Sequence, residues 1–231
     1  MKKRESQKPL VNSSSKDWLL EEIKNHFMIS RDRKPSGYFS PSYLGKQARL
    51  VYLGYLGLFG KPSPESILKM ENGKYFHYRL GNWFERMGIL MEKEFKIDLG
   101  LLKIRGKGDF IIVRPVDKTI HIVEAKSMAS WLFTALKQPN LEDLIQWNLY
   151  SYAKGIERGL IYYENKDNQK PKIFEVWQNK ELIDQTIDKI NYVLECIHSN
   201  KLPRKCLLCK TSNCDSHSVC EELEKSKEVS E

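Results

Sequence analysis

The sequence has no long apolar run. No stretch approaches the roughly 20 apolar residues that a membrane span requires, so no membrane-spanning segment is expected. The opening MKKRESQKPLVNSSSKDW is basic but has no apolar core behind its charges, so no secretory leader is expected. Cysteine is scarce, with 5 in 231 residues. The expected compartment is therefore a reducing cytoplasm, where clustered cysteines serve as metal ligands rather than disulfides. No internal repeat is visible, so a solenoid is excluded. Acidic residues are in the minority: 30 Asp and Glu against 38 Lys and Arg give a net charge of +8. That balance favours a polyanionic partner, although many basic proteins have none.

What the chain does have is an ordinary globular core. Hydrophobic residues make up 41% of the sequence, and the length suits one domain with appendages. Residues 1–15 are polar, basic and serine-rich, a mobile tail. From Lys16, apolar residues at helical spacing (Trp18, Leu19, Ile23, Phe27, Met28) predict a helix, followed by the loop RDRKPSGYFSPS. Ser42 is placed to cap a helix over YLGKQARLVYLGYLG, and the prolines of KPSP end it. Residues 72–92 read as a long amphipathic helix that starts at Gly73, carries His77, and buries Tyr75, Leu80, Trp83, Phe84 and Met87. A strand near EFKIDL follows. SMASWLFTALKQPN forms a partly helical linker, and Leu141 to Gly155 forms a helix. GLIYYEN and KIFEVWQ read as strands, and 180–200 as a charged amphipathic helix. The expected organisation is a tail (1–15), a main domain (16–200), a cysteine-rich segment (201–220) and an acidic tail (221–231). Helices around a β-rich centre indicate an α/β class.

The chemistry concentrates in IRGKGDFIIVRPVDKTIHIVEAK, residues 104–126. Asp109 opens one apolar run, FIIV. A second run, IHIV, ends in Glu124, Ala125 and Lys126, with the turn-like RPVDKT between them, so the two runs form a hairpin. Side chains alternate along a strand, which puts Glu124 and Lys126 on one face. Close pairing brings Asp109 beside them. Two carboxylates and a lysine at one point suit hydrolysis of a phosphodiester. A Mg²⁺ or Mn²⁺ ion activates water and stabilises the phosphorane oxygens there, and such ions prefer carboxylate and carbonyl ligands. Asp109, Glu124 and the Ala125 carbonyl are the ligand candidates, and Lys126 orients the attacking water and neutralises developing charge. An isolated Glu-x-Lys on an exposed strand is ordinarily a solvated ion pair, so the surrounding pattern has to carry the argument.

That pattern resembles the PD-(D/E)xK nuclease superfamily, in its RecB-like exonuclease branch, which includes CRISPR-adaptation exonucleases and phage-encoded relatives. The resemblance spans roughly residues 36–220. FSPSYLGKQARLVYLG is similar to the branch's "SPS" motif, GKYFH to its G-x-x-x-H motif, GKGDF to its Asp motif and VEAKS to its E-x-K motif. QWNLYSYA is similar to its Q-x-x-x-Y helix, and the C-terminal cysteines to its metal-cluster tail. The resemblance implies a restriction-endonuclease-like α/β core, a mixed central sheet flanked by helices. It implies that His77 joins Asp109, Glu124 and Ala125 as a metal ligand, and that Lys126 is catalytic. Gln146 and Tyr150, four apart on one helix face, reach the site or the DNA; Tyr150 reads equally well as core packing.

The sequence departs from the branch at one point: Gln47 stands where a cluster cysteine would precede the motif's end. Cys196 falls on the apolar side of a helix and reads as core. The remaining four, Cys206, Cys209, Cys214 and Cys220, have the spacing C-x2-C-x4-C-x5-C. They suit zinc or an iron–sulfur cluster of structural role, and His217 is a possible substitute ligand for zinc. Arg31, Arg33 and Lys34, and Lys103, Arg105 and Lys107 beside Asp109, are candidate phosphate contacts or solvated surface. Trp131 and Phe133 are candidates for base stacking or for packing. The expected function is metal-dependent cleavage of DNA, exonucleolytic on single-stranded or frayed ends. A structure-specific endonuclease is the first alternative, and a non-catalytic DNA-binding module of a recombination complex the second. DNA is the expected partner, with recombination or CRISPR-adaptation proteins beside it.

Overall fold

The computed structural model describes residues 35–58, 64–205 and 216–228, with Trp18, Leu19, Glu22 and His26 as isolated helical positions before them. The expected N-terminal tail, the Arg31, Arg33 and Lys34 loop, and Cys206, Cys209 and Cys214 lie outside the described residues.

The expected helix after Ser42 is two helices, α1 (Pro41–Leu44) and α2 (Ala48–Tyr55). Ser42 lies inside α1; Ser40 precedes it and Pro41 fills the first turn, a position that needs no N–H. The break has a cause remote in sequence. Lys189 Nζ donates to the carbonyls of Leu44 at 2.9 Å and Lys46 at 3.2 Å, satisfying groups that a continuing helix would have used.

Helix α3 runs Pro64–Arg86, eight residues earlier at its start than the sequence pattern indicates, so Gly73 sits within it. Its inward stripe is Phe76, Leu80 and Gly81 with Phe84 partly buried, whereas Tyr75, Trp83 and Met87 are exposed. The pattern mixed two helix faces. The Arg79 guanidinium lies over Trp83 and covers part of its ring.

Helix α3 stops six residues short of the expected end, and strand β1 (Leu90–Lys93) forms in the segment read as its last turn. Strand β2 (Lys96–Leu99) is the strand expected near EFKIDL. A one-turn 3-10 helix leads to β3 (Ile104–Lys107), then β4 (Phe110–Val113) and β5 (Ile120–Met128). The linker holds α4 (Ser130–Ala135), and α5 (Leu141–Lys154) ends at Gly155 as expected. Strands β6 (Arg158–Asn165) and β7 (Pro171–Trp177) precede α6 (Lys180–His198) and α7 (His217–Glu228).

The main sheet has the order β1-β4-β5-β6-β7 and is antiparallel except between β5 and β6. A parallel pair needs a long crossover, and α4 and α5 supply it. β2 and β3 form a separate two-stranded sheet, so the hairpin segment beginning at Ile104 is shared between two sheets. Helix α3 covers one face of the main sheet through Phe76 and Leu80 on Phe110, Val123 and Ala125. The larger core fills the other face, with Trp147, Leu149 and Tyr150 of α5 against Ile122 and Ile161 and with α2 and α6 beyond. The mixed α/β core with flanking helices is the expected class.

The C-terminal segment is fastened to α2. Arg49, almost fully buried, donates to the Pro203 carbonyl at 2.6 Å and pairs with Glu224 at 3.2 Å, and Lys205 reaches the same carboxylate at 2.6 Å. Cys196 and Cys220 are both buried in the larger core. Among the described residues no helix is long and apolar enough to cross a membrane.

Candidate active site

The site forms where one strand outruns its neighbour. β4 pairs with β5 only as far as Phe110 opposite Val123, while β5 continues to Met128. Beyond Val123 the β4-facing edge of β5 has no strand beside it among the described residues. Asp109, the residue before β4, closes that edge: its Oδ2 accepts the Ala125 N–H at 2.8 Å. A strand residue's N–H and C=O point to the same side, so the Ala125 carbonyl faces this edge as well.

Asp109 is held by its main chain. Its carbonyl accepts from Glu94 N at 2.8 Å, and Gly108 N donates to the Phe95 carbonyl at 2.9 Å. The two glycines of GKGD are there for close approach. A Cβ on Gly108 would stand 2.0 Å from the Phe95 ring, and one on Gly106 2.6 Å from Pro41. The SPS segment and the Asp motif are thus packed together, with Phe39 bridged to Ile104.

From the α3 side, His77 Nδ1 lies 3.2 Å from Asp109 Oδ1, and its ring stacks on Phe110. From the α5 side come the groups around Lys126. Its Nζ stands 2.7 Å from Glu124 Oε1, 2.9 Å from Gln146 Oε1 and 3.7 Å from Asp143 Oδ1. Gln146 Nε2 donates to the Tyr150 hydroxyl at 3.0 Å, and that hydroxyl donates to the Lys107 carbonyl at 2.7 Å. Tyr150 is buried and touches the site through Gln146; its phenol is held neutral by burial, then by the nearby Glu124 carboxylate.

Glu124 is the electrostatic centre. Its side chain is 1% exposed, and Oε2 is buried with no hydrogen-bond partner among the described residues. Burial, followed by the Asp109 charge, pushes its carboxyl up to about 8, against the opposing pull of Lys126. Lys126 shows the reverse balance. Burial works against its charge, but Glu124 and Asp143 outweigh that and raise it, so it stays an ammonium.

The residues His77, Asp109, Glu124, Ala125, Lys126 and Gln146 therefore converge, and Tyr150 supports them from behind. Asp143 was missed in the sequence. It receives the Tyr163 hydroxyl at 2.7 Å and faces Lys126. Its spacing to Gln146 and Tyr150, three and seven residues, was the available signal. Among the described residues, no three His, Cys, Asp or Glu side chains form a ready cation cage. Lys126 occupies one oxygen of Glu124, and His77 faces one oxygen of Asp109. The donor set nonetheless suits a hard divalent ion: two carboxylates, an imidazole and a carbonyl, with one buried carboxylate oxygen left unsatisfied.

A cleft of about 630 Å³ opens onto the site between α3 and the β1–β2 and β3–β4 turns, lined by Lys74, His77, Tyr78, Lys93, Lys107 and Asp109 among others. Of the other basic candidates, Arg105 pairs with Asp98 at 2.8 Å and lies 3.6 Å over the Tyr38 ring. Phe133 is packed in the core under Lys172, which removes it as a stacking platform, while Trp131 is exposed.

No protein-family model matches the chain, and no curated protein does. Solved structures do match it. The crystal structure of SSO0001 is similar with a TM-score of 0.56 and 17% identity, over 90% of this chain and 96% of that one. An alkaline exonuclease, LHK-Exo from Laribacter hongkongensis, is similar with a TM-score of 0.50 and 12% identity, over 78% of this chain and 93% of its own. Its complex with dAMP gives 0.51 and 14% over the same shares. The likeness is one of fold: this chain shares the mixed α/β core of those structures.

Proposed function

We propose that this chain is a metal-dependent nuclease of the PD-(D/E)xK type that hydrolyses phosphodiester bonds of DNA from an end. The observation that carries the reading is the convergence of Asp109, Glu124 and Lys126 at the uncovered edge of β5, with His77 across the cleft. An exonuclease among the structures of similar fold supports the end-directed form.

His77, Asp109, Glu124 and the Ala125 carbonyl would hold a Mg²⁺ or Mn²⁺ ion. When bound, that ion supplies Lewis acidity and a water of lowered pKa. The chain's own residues do the rest. The Ala125 N–H fixes Asp109 Oδ2, so the carboxylate cannot swing away from the cleft. Gln146, held by Tyr150, keeps Lys126 pointed at Glu124. The Lys126 ammonium stabilises charge that accumulates on the attacked phosphate and aligns the water. Lys74, Lys93 and Lys107 draw the backbone into the cleft without regard to base identity.

The four C-terminal cysteines are proposed to bind a structural zinc ion or iron–sulfur cluster. Cys220 is already anchored in the core. Metal analysis and an anaerobic absorbance spectrum tell the two apart, because only the cluster is coloured.

The test is cleavage of end-labelled linear and closed circular single strands with Mg²⁺ or Mn²⁺. Loss of the linear strand with the circle intact is expected. A cut circle shows an endonuclease instead, and no cleavage of either overturns the reading.

A further inference from the structure

On the far side of α3 from His77 lies a second cleft, of about 370 Å³, lined by Asn72, Tyr75, Arg79, Ser127, Glu164 and Lys166 with the Phe76 ring. Nothing in the mechanism above uses it. We infer that it is a second phosphate subsite, which holds a phosphodiester of the DNA strand next to the one being cut. The inference rests on the nuclease reading and extends it.

Three features support this. The first is position. Ser127 lies two residues beyond Ala125 on β5, so it shares the edge that β4 leaves uncovered. Two strand residues span about 7 Å, comparable to the step between successive phosphates of an extended strand. A strand following that edge from the catalytic cleft arrives here.

The second is the way Arg79 is held. Its Nη2 pairs with Glu164, whose side chain is 5% exposed, and its guanidinium lies 5.0 Å from the Trp83 ring and 5.9 Å from the Phe76 ring. A pair built only for packing would bury both partners, yet the Arg79 side chain stays 38% exposed in the cleft wall. Its Nε is buried, so the exposed remainder of the side chain is what the cleft presents. A guanidinium fixed in place with one edge open is preorganised for an anion.

The third is charge. The lining has one carboxylate, already engaged with Arg79, against two cations, Arg79 and Lys166. The remaining positive charge matches a singly charged phosphodiester. Tyr75, exposed at the same cleft, offers an aromatic face to the attached sugar or base.

The test is fluorescence anisotropy of the full chain with a fluorescein-labelled oligothymidylate, in EDTA so that nothing is cut, across a salt series. Wild-type protein is expected to give a linear plot of log Kd against log salt. Arg79→Gln should raise Kd about tenfold and flatten the slope by about 0.7, the value of one single-strand phosphate contact, and Lys166→Gln should flatten it similarly. Because Arg79→Gln strands a buried carboxylate, the double variant R79Q/E164Q is run beside it and should show the same loss. Glu164→Gln alone should keep the wild-type slope. Wild-type slopes for R79Q and the double variant, with cleavage intact, overturn the subsite and leave the nuclease reading standing. A loss with E164Q equal to that of R79Q makes the pair structural and also overturns it. Wild-type protein that neither binds nor cuts DNA removes both.

Discussion

The backbone N–H of Ala125 donates to Asp109 Oδ2 at 2.8 Å, across sixteen residues of hairpin. This bond takes the place of the next rung of the β4–β5 ladder. It makes the end of one strand into a site, because the group that completes the sheet edge is a carboxylate and not a main-chain carbonyl. Everything else in the cluster is placed relative to that edge.

Lys126 depends on Gln146 for its direction and on three acids for its charge. Lys126→Ala should lower kcat roughly 10²- to 10³-fold, the scale of losing one electrostatic contact in a transition state. Gln146→Ala should lower kcat roughly tenfold with KM little changed, since it removes only positioning. Steady-state kinetics on a labelled single strand separates the two. A kcat unchanged in Gln146→Ala contradicts the positioning role.

The raised carboxyl of Glu124 has a consequence for stability. Its ordinary value is 4.5 and its folded value is about 8. Between those values the folded chain binds the proton more tightly than the unfolded chain, so stability falls as pH rises. The contribution is fully present below pH 4.5 and lost as pH passes about 8. Glu124→Gln should therefore raise the melting temperature of the metal-free protein at pH 8.5 and have little effect at pH 5. Melting curves at the two pH values check this, and an equal effect at both contradicts it.

Gly108→Ala should be severe. The added Cβ meets a Phe95 ring that is itself fully buried, so the cost is an overpacking of roughly 3 kcal/mol, and Asp109 shifts with it. Chemical denaturation measures the loss. The double variant G108A/F95L should recover part of it by freeing the space.

Arg49 ties α2 to the C-terminal segment through Pro203 and Glu224. Arg49→Ala leaves the Pro203 carbonyl without its charged donor, at a cost of about 1–3 kcal/mol. Proteolysis after Lys201 or Arg204 should accelerate in that variant while cleavage within the sheet does not. Unchanged cutting at those sites contradicts the fastening role.

How much of this was legible depended on whether the cause was local. The hairpin was legible because apolar runs and a turn lie within one stretch, and because alternation alone places Glu124 and Lys126 together. The α5 helix and its Gly155 cap were legible for the same reason. The break between α1 and α2 was not, because Lys189 causes it from 145 residues away. The inward face of α3 was misread since Tyr75, Trp83 and Met87 are as apolar as Phe76 and Leu80, and only the sheet decides which set is covered. Asp143 was overlooked because an acid in a first helical turn is ordinary on its own; Lys126 and Tyr163 give it a place in the site. Arg79 and Glu164, 85 residues apart, left no trace in the sequence pattern.

The central claim is that Asp109 and its neighbours cut DNA with a bound divalent ion. The most direct test is the rate of nucleotide release from end-labelled single-stranded DNA at saturating Mn²⁺, for wild-type protein and Asp109→Ala at matched folded concentration. Release by the wild type that stops in EDTA, and loss of at least roughly 10³-fold in the variant, is the predicted result. Equal release by the two proteins, or release by the wild type that persists in EDTA, contradicts the account.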